Sequence, residues 1–420
     1  MGTFHKALWV SSGAGTSRRQ RASGVYYWYL PDLLSDLKVA LDEDVVADVA
    51  RAERDLATCA SSLSVGIEGV ARLLMRSESV ASSNIEGLSI GSRRLMRAEL
   101  QRLEPDNVRY DRNAACVLGN IRAMEQALEL AKTTPEVTVE MLQEIHADLC
   151  RGTDIEQWGG VVRTAQNWVG GSASNPLSAD YVPPAPDEVS VLLDDLVAYI
   201  NRADVSPVVQ AALVHSQFES IHPFADGNGR LGRALIHVCL GRRGVSPVAT
   251  PPISLALATN KQDYFDSLSQ MQRVTNEEEQ HEAVNDWVSC FCSAVSESCG
   301  DMERIAQDMA GIRTGWEGML GRVRAGSSLE LMLNEMQALP VFSVETMVRA
   351  TGRTKQAVGL AVSRLLEAGI IRQTNQGKRS RVFEAPDVLE EFAIVERRLA
   401  SPARDTSVEP PSRRVPDRPR

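Results

Sequence analysis

The sequence predicts a mainly α-helical protein with one β-prone insertion and a C-terminal winged helix-turn-helix. Three observations carry that prediction. Apolar residues recur at three- and four-residue steps through long Pro-free stretches, as in VVADVARAERDLATCASSL from residue 45. That period gives each helix one apolar stripe to bury. Residues 151–186 break the pattern with short β-prone pieces between Gly, Asn and Pro, the mark of a hairpin or loop on a helical body. Near the C-terminus the order is short helix, turn, longer helix, strand, basic loop, strand, which is the order of a winged helix.

In chain order, residues 1–25 hold Gly, Ser and Arg with little periodicity and read as a flexible arm. An N-terminal helical region follows over 26–110, with helical pattern from Leu33 to Arg102. A core over 111–300 takes helices at Asn113–Ala131 and Val139–Cys150, then the insertion, then DEVSVLLDDLVAYINRA and PVVQAALVHSQFESI. Helical pattern resumes after 230 and again from Asn260 to Cys299. Residues 301–328 read as a helical linker and 329–390 as the winged domain, with Gly369 stopping its longer helix. The segment 400–420 is dense in Pro and Arg and reads as a disordered tail.

A chain of 420 residues allows two or three domains, and 43% hydrophobic residues suffice for a sizeable core. The net charge of −10 excludes a global positive field for nucleic acid. Seven cysteines, with no CxxC and one loose cluster at Cys290, Cys292 and Cys299, read as buried thiols in a reducing compartment. No apolar run reaches the roughly 18 residues of a membrane helix, and the first residues lack a signal-peptide pattern, so the expectation is a cytoplasmic protein without membrane contact.

The chemistry concentrates in HPFADGNGRLGR, His222 to Arg233. One helix ends near Ile221 and another opens near Arg230. Glycines between them let backbone N–H groups close around an anion, and the new helix adds its positive end. Arg230 and Arg233, three apart, suit phosphate oxygens. Asp226 offers a hard oxygen to magnesium. His222 offers an imidazole, whose ordinary pKa of about 6.5 suits proton transfer. Each piece alone is commonly structural, but their coincidence points to transfer of part of a nucleotide to a hydroxyl.

This segment resembles the signature of Fic-domain proteins, His-Pro-Phe-x-Asp/Glu-Gly-Asn-Gly-Arg-x-x-Arg, with every fixed position filled. The lead-in HSQFESI is also similar. NWVGG followed by ADYVPPAPDEV resembles the family's flap, which lines up the target chain. Where many relatives place Pro-Gly before the flap arginine, this chain has Gly159-Gly160 and then Arg163, a departure expected to loosen the loop without touching a catalytic group. NKQDYFDSL resembles a later helix that faces the nucleotide base through Asn260 and Tyr264. The resemblance covers residues 25 to 300.

The resemblance implies an all-helical Fic core with a small β-hairpin flap. It implies AMP transfer from ATP to a Tyr, Ser or Thr hydroxyl of a target protein, and self-modification. His222 would remove the hydroxyl proton, and Asp226 would hold Mg2+ between the α- and β-phosphates. Ala225, Gly227, Asn228 and Gly229 would surround the phosphates. Arg230 and Arg233 would neutralise the β- and γ-charges, with Phe224 anchoring the loop. SVASSNIEGLSI, residues 79–90, resembles the family's inhibitory helix. By that resemblance Glu86 pairs with Arg233, supported by Ser82, and so competes with the γ-phosphate.

Other readings remain open at this level. His215, Glu219, His222 and Asp226 recur at metal-ligand steps, but Pro223 breaks the helix between them. Residues 329–384 hold eight Lys or Arg against five Glu. Arg353, Lys355 and Arg364 would then line a recognition helix, with Lys378, Arg379 and Arg381 in a DNA-binding wing. A winged helix serves equally as a protein contact or homodimer module. Family relatives also use other nucleotides, and some remove AMP.

Overall fold

The structure, a computed structural model, describes residues 2–11, 13, 16–62, 67–103, 112–245, 250–374 and 381–400. The chain begins with β1 (Thr3–Trp9) and β2 (Gly24–Leu30), paired antiparallel from Thr3↔Leu30 to Trp9↔Gly24. The expected flexible arm is therefore a hairpin. GVYYWYL supplies the aromatic, β-prone run that a strand needs. Tyr29 anchors it, buried and donating its hydroxyl to the Val274 carbonyl at 2.9 Å.

Five amphipathic helices follow: α1 (Glu43–Ser62), α2 (Ile67–Ile85), α3 (Ser92–Leu103), α4 (Arg112–Thr133) and α5 (Val139–Cys150). The insertion then runs to α6 (Val189–Ile200). Among the described residues it forms isolated bridges, Val162↔Phe224, Val169↔Tyr181 and Ser172↔Asn175, and no strand. The flap is thus a bridged loop rather than the expected β-hairpin. Its Gly, Asn and Pro positions prevent a continuous ladder.

Next come α7 (Pro207–Ile221), α8 (Asn228–Arg242), α9 (Ile253–Thr259), α10 (Lys261–Met271) and α11 (Glu277–Leu320). α11 crosses residue 300 without a break, so the expected linker at 301–328 is mostly the end of one 44-residue helix. The C-terminal elements are α12 (Ser328–Ala338), β3 (Val341–Ser343), α13 (Val344–Thr351), α14 (Lys355–Glu367), β4 (Arg372–Gln373), β5 (Val382–Glu384) and α15 (Pro386–Ala400). Their sheet has the order β3-β5-β4 with antiparallel pairs.

The chain divides into two compact units, each assembled from three separate stretches. The first takes Met1–Arg54, Arg122–Val245 and Asn260–Ala294; the second takes Asp55–Ile121, Ser246–Thr259 and Val295–Arg420. The sequence suggested consecutive blocks instead. Within the second unit, α2 packs on α12 and α9, and α3 on β3 and α15. A Cβ at Gly69 of α2 would come within 2.8 Å of Gln337 on α12, so the two helices are nearly in backbone contact. Arg76 of α2, buried, pairs with Glu99 at 3.0 Å and donates to the Ala338 carbonyl. Buried Glu78 accepts from the Ser254 N–H at 2.7 Å and from its hydroxyl, holding the first turn of α9. The 329–390 segment therefore shares a core with the N-terminal helices rather than standing alone.

All seven cysteines are free thiols, six of them buried. Among the described residues no helix is long and apolar enough to cross a membrane. The proposed tail, 401–420, and the wing residues Lys378 and Arg379 lie outside the described residues.

Candidate active site

The site is built on α7 and α8 in the first unit. α7 opens at Ser206, whose hydroxyl accepts from the Val209 N–H, with Pro207 in its first turn. From Val208 to Ile221 every residue is buried, as expected of a helix without a polar face. Its polar side chains find partners: Gln210 donates to the Tyr199 carbonyl at 2.7 Å, Gln217 to the Asp32 carbonyl at 2.7 Å, and His215 meets the Tyr264 hydroxyl at 2.9 Å. Gly232 lets α8 lie close to α7, because a Cβ there would collide with the Glu219 carboxylate.

His222 ends α7 in the left-handed region, with φ 49° and ψ 58°. Among the described residues it is the one non-glycine with positive φ. Its N–H donates to the Phe218 carbonyl at 2.9 Å. Phe224 then turns inward and stacks on His146, ring centroids 3.8 Å apart and planes 13° apart. Full burial of such a ring contributes roughly 1.5–3 kcal/mol to holding the loop. Asn228 closes the loop from the other side. Its Oδ1 accepts from the Phe224 N–H at 2.9 Å and its Nδ2 donates to the Phe224 carbonyl at 2.8 Å. The Asn228 side chain is therefore a loop clamp, and only its backbone remains for a phosphate.

Gly227 takes the helix N-cap at φ 83°. A side chain there would be strained and would also approach Leu149 to 2.9 Å. α8 makes its first internal bond from the Leu231 N–H to Gly227, so the preceding N–H groups face the loop as an anion site. Arg233 is 1% exposed and Arg230 is buried, with Arg230 3.4 Å from Asp226. The Asp226 side chain is 58% exposed, and Oδ1 accepts from the Gly227 N–H. One exposed carboxylate beside a phosphate cradle fits a magnesium ion that takes its remaining oxygens from phosphate and water.

Two flap side chains, Arg163 and Asn167, and His146 of α5 grip the carbonyls of this loop. Arg163 donates Nε to the His222 carbonyl at 2.9 Å and Nη2 to the Ile221 and Pro184 carbonyls at 3.2 and 2.6 Å, while its N–H reaches Pro223 at 2.9 Å. Burial pulls its pKa down to about 10, leaving it charged at neutral pH. Asn167 donates Nδ2 to the His222 and Phe224 carbonyls at 3.3 and 3.0 Å. His146 accepts the Gly160 N–H at Nδ1, 2.9 Å, and meets the Asp226 carbonyl through Nε2 at 2.8 Å. That pairing fits the neutral ring with its proton on Nε2. Burial pushes the His146 pKa down to about 4, with Arg230 adding to the fall and the Asp226 carbonyl opposing it.

His146 and Asn167 are site residues that sequence reasoning missed. Gly159-Gly160 is not a loosened loop either. A Cβ at Gly160 would meet the Gln143 carbonyl at 2.8 Å, and Gln143 bonds the Gly160 carbonyl at 2.9 Å.

The remaining expected residues are placed as follows. Tyr264, expected to face a base, is 1% exposed and its ring packs with His215, Trp287 and Phe265. Asn260 precedes the first turn of α10. Ser82 is buried in α2, and Glu86 follows the helix end in the exposed turn before Gly87. Arg353 donates to the Gly326 carbonyl at 2.8 Å, Lys355 pairs with Glu345 at 2.6 Å, and Arg364 donates to Leu320 at 3.3 Å. The described part of the C-terminal region thus binds its basic side chains to its own chain. Among the described residues no group of three or more His, Cys, Asp or Glu could hold a metal ion.

A buried two-helix hairpin with unpaired N–H groups at one helix start and a histidine at its bend is an arrangement that can hold an anion. More narrowly, residues 136–240 match the Fic/DOC family and residues 46–129 match the Fic/DOC family N-terminal region. It is 34% identical over 119 residues to "Protein adenylyltransferase Fic" of Drosophila erecta, covering 28% of this chain and 22% of that protein. It is 30% identical over 125 residues to "Protein adenylyltransferase fic-1" of Caenorhabditis elegans, covering 29% and 23%. The chain thus spans about a quarter of the length of the curated relatives it matches. Its fold is like that of a Fic family protein from Desulfovibrio desulfuricans G20, TM-score 0.50 at 19% identity, covering 83% of this chain and 97% of that one.

Proposed function

We propose that this protein transfers AMP from ATP to a side-chain hydroxyl of a protein, including its own chain. The observation that carries the reading is His222 at the left-handed bend before Gly227, Arg230 and Arg233. The imidazole accepts the hydroxyl proton. The hydroxyl oxygen bonds to the α-phosphorus, the bond from that phosphorus to the bridging β-oxygen breaks, and pyrophosphate leaves. The N–H groups at the start of α8 and the two guanidiniums stabilise the charge that shifts onto the leaving group. Magnesium held by Asp226 and the nucleotide's phosphates would supply further charge neutralisation. The curated relatives carry the name protein adenylyltransferase, which supports this donor chemistry.

The same reading includes a brake. Arg233 serves a carboxylate or a γ-phosphate, not both well, and Glu86 is the carboxylate whose surrounding sequence resembles the family's inhibitory pattern. The C-terminal elements follow the winged-helix order, and their internally paired Arg353, Lys355 and Arg364 favour a structural or protein-contact role over DNA.

The test is incubation with ATP labelled at the α-phosphate and, separately, at the γ-phosphate. Label on protein from the α-position alone supports AMP transfer. Label from the γ-position alone would show a kinase and end this reading.

A further inference from the structure

The conformation of His222 is unusual because its own sequence does not favour it. A left-handed imidazole-bearing residue costs more than the same conformation in glycine. The residue before Pro223 is also steered toward extended backbone. Something outside the segment must therefore hold φ at 49°. Two flap side chains reach the His222 carbonyl, Arg163 through Nε at 2.9 Å and Asn167 through Nδ2 at 3.3 Å. Arg163 alone ties that carbonyl to the end of α7 at Ile221, to Pro184 in the later part of the flap and, through its own N–H, to Pro223. A planar guanidinium with fixed donors can set several carbonyls at once, which an ammonium cannot.

We propose that Arg163 is the positioning residue for His222: its guanidinium holds the left-handed bend and so aims the imidazole at the acceptor hydroxyl. The flap is then part of the catalytic scaffold as well as a guide for the target chain. The role rests on the reading of His222 as the proton acceptor. It acts on the chemical step and leaves the phosphate cradle alone, because Gly227, Arg230 and Arg233 are not among the groups that Arg163 contacts.

The test is Arg163→Lys in the full chain, which keeps the charge and removes the fork. Self-modification by α-labelled ATP is followed in the parent and in the Glu86→Gly background, with ATP binding and thermal stability measured alongside. The expected result is a fall in the maximal rate of about 30- to 100-fold, with KM for ATP within about twofold and the fold retained. Arg163→Ala should recover part of its rate when guanidinium ion is added at non-denaturing concentration. A folded Arg163→Lys protein with the parent maximal rate overturns the proposal, as does an equal loss in ATP binding. A crystal structure of Arg163→Lys gives a readout independent of turnover: His222 leaving the left-handed region supports the role, and His222 unchanged in φ overturns it. Failure of the underlying reading looks different, as full activity in His222→Ala or no α-label in any variant.

Discussion

Among the helices that end in a left-handed residue, α2 and α7 do so differently. α2 ends at Ile85 and takes Gly87 at φ 76°, with the Gly87 N–H bonded to Asn84 and the Leu88 N–H to Ser83. That is a Schellman cap on the residue type that suits it. α7 ends at Ile221 and takes His222 at φ 49°. The first end is satisfied by local sequence. The second is kept by Arg163 and Asn167, 59 and 55 positions away in sequence. The difference teaches where strain is tolerated: at the bend where a side chain must stand, and only with outside support.

The largest break in the comparison is to remove that side chain. His222→Ala should reduce α-label incorporation by about 10³-fold, within the usual range for a lost general base. His222→Gly should lose as much activity yet gain up to about 1 kcal/mol of stability in urea titration, because the bend then matches its residue type. Activity within tenfold of the parent in either variant would remove His222 from the chemistry.

Next in size is a pH effect on the wall behind the bend. The folded chain holds the His146 pKa at about 4, below its ordinary value of about 6.5. The unfolded chain therefore binds the proton first, and this contribution is complete above pH 6.5 and is lost as pH falls toward 4. By pH 5 the loss amounts to about 2 kcal/mol. Carboxylates titrate in the same region, so the measurement is a difference. Urea titrations of the parent and of His146→Gln should converge between pH 7.5 and pH 5. Parallel lines would mean that the proton on His146 does not matter to the fold.

How far the sequence could lead follows from how local each contact is. The loop from His222 to Arg233 was legible because its bend, N-cap and guanidiniums fall in one run of residues. Most of the helices were legible from period alone, and the α2 stop from Gly87. The wall was not: His146 reaches Asp226 across 80 positions and sits in a run, MLQEIHADLC, that reads as an ordinary apolar helix face. Tyr264, which the resemblance of NKQDYFDSL set facing a base, has a burial that no local pattern announced: its hydroxyl meets His215, 49 positions away. The hairpin strand GVYYWYL carries β-prone residues that the Gly, Ser and Arg before it obscure. The interleaving of the two units rests on contacts such as Arg76 to Ala338, 262 positions apart, for which sequence has no local sign.

The third effect concerns the end of α2. Glu86→Gly should raise self-modification about tenfold, a coupling of ordinary size. The α-label assay at saturating ATP reads it directly. Equal or lower incorporation in the folded variant would contradict the brake while leaving the transfer reading intact.

The smallest effect is the sharpest test of the contrast between the two helix ends. Gly87→Ala puts a Cβ where nothing lies within 4 Å, so the added cost is conformational and should be about 1 kcal/mol in urea titration. Gly352 is its control: it caps α13 at φ 65°, and a Cβ there also meets nothing within 4 Å. Gly352→Ala should cost the same in stability and leave self-modification unchanged. Gly87→Ala, by disturbing the turn that carries Glu86, should add a rise in self-modification smaller than that of Glu86→Gly. If both alanines cost the same and neither changes transfer, the cap stabilises α2 without setting Glu86. If Gly87→Ala costs nothing, the left-handed glycine is not what ends that helix, and the contrast with His222 loses its reference.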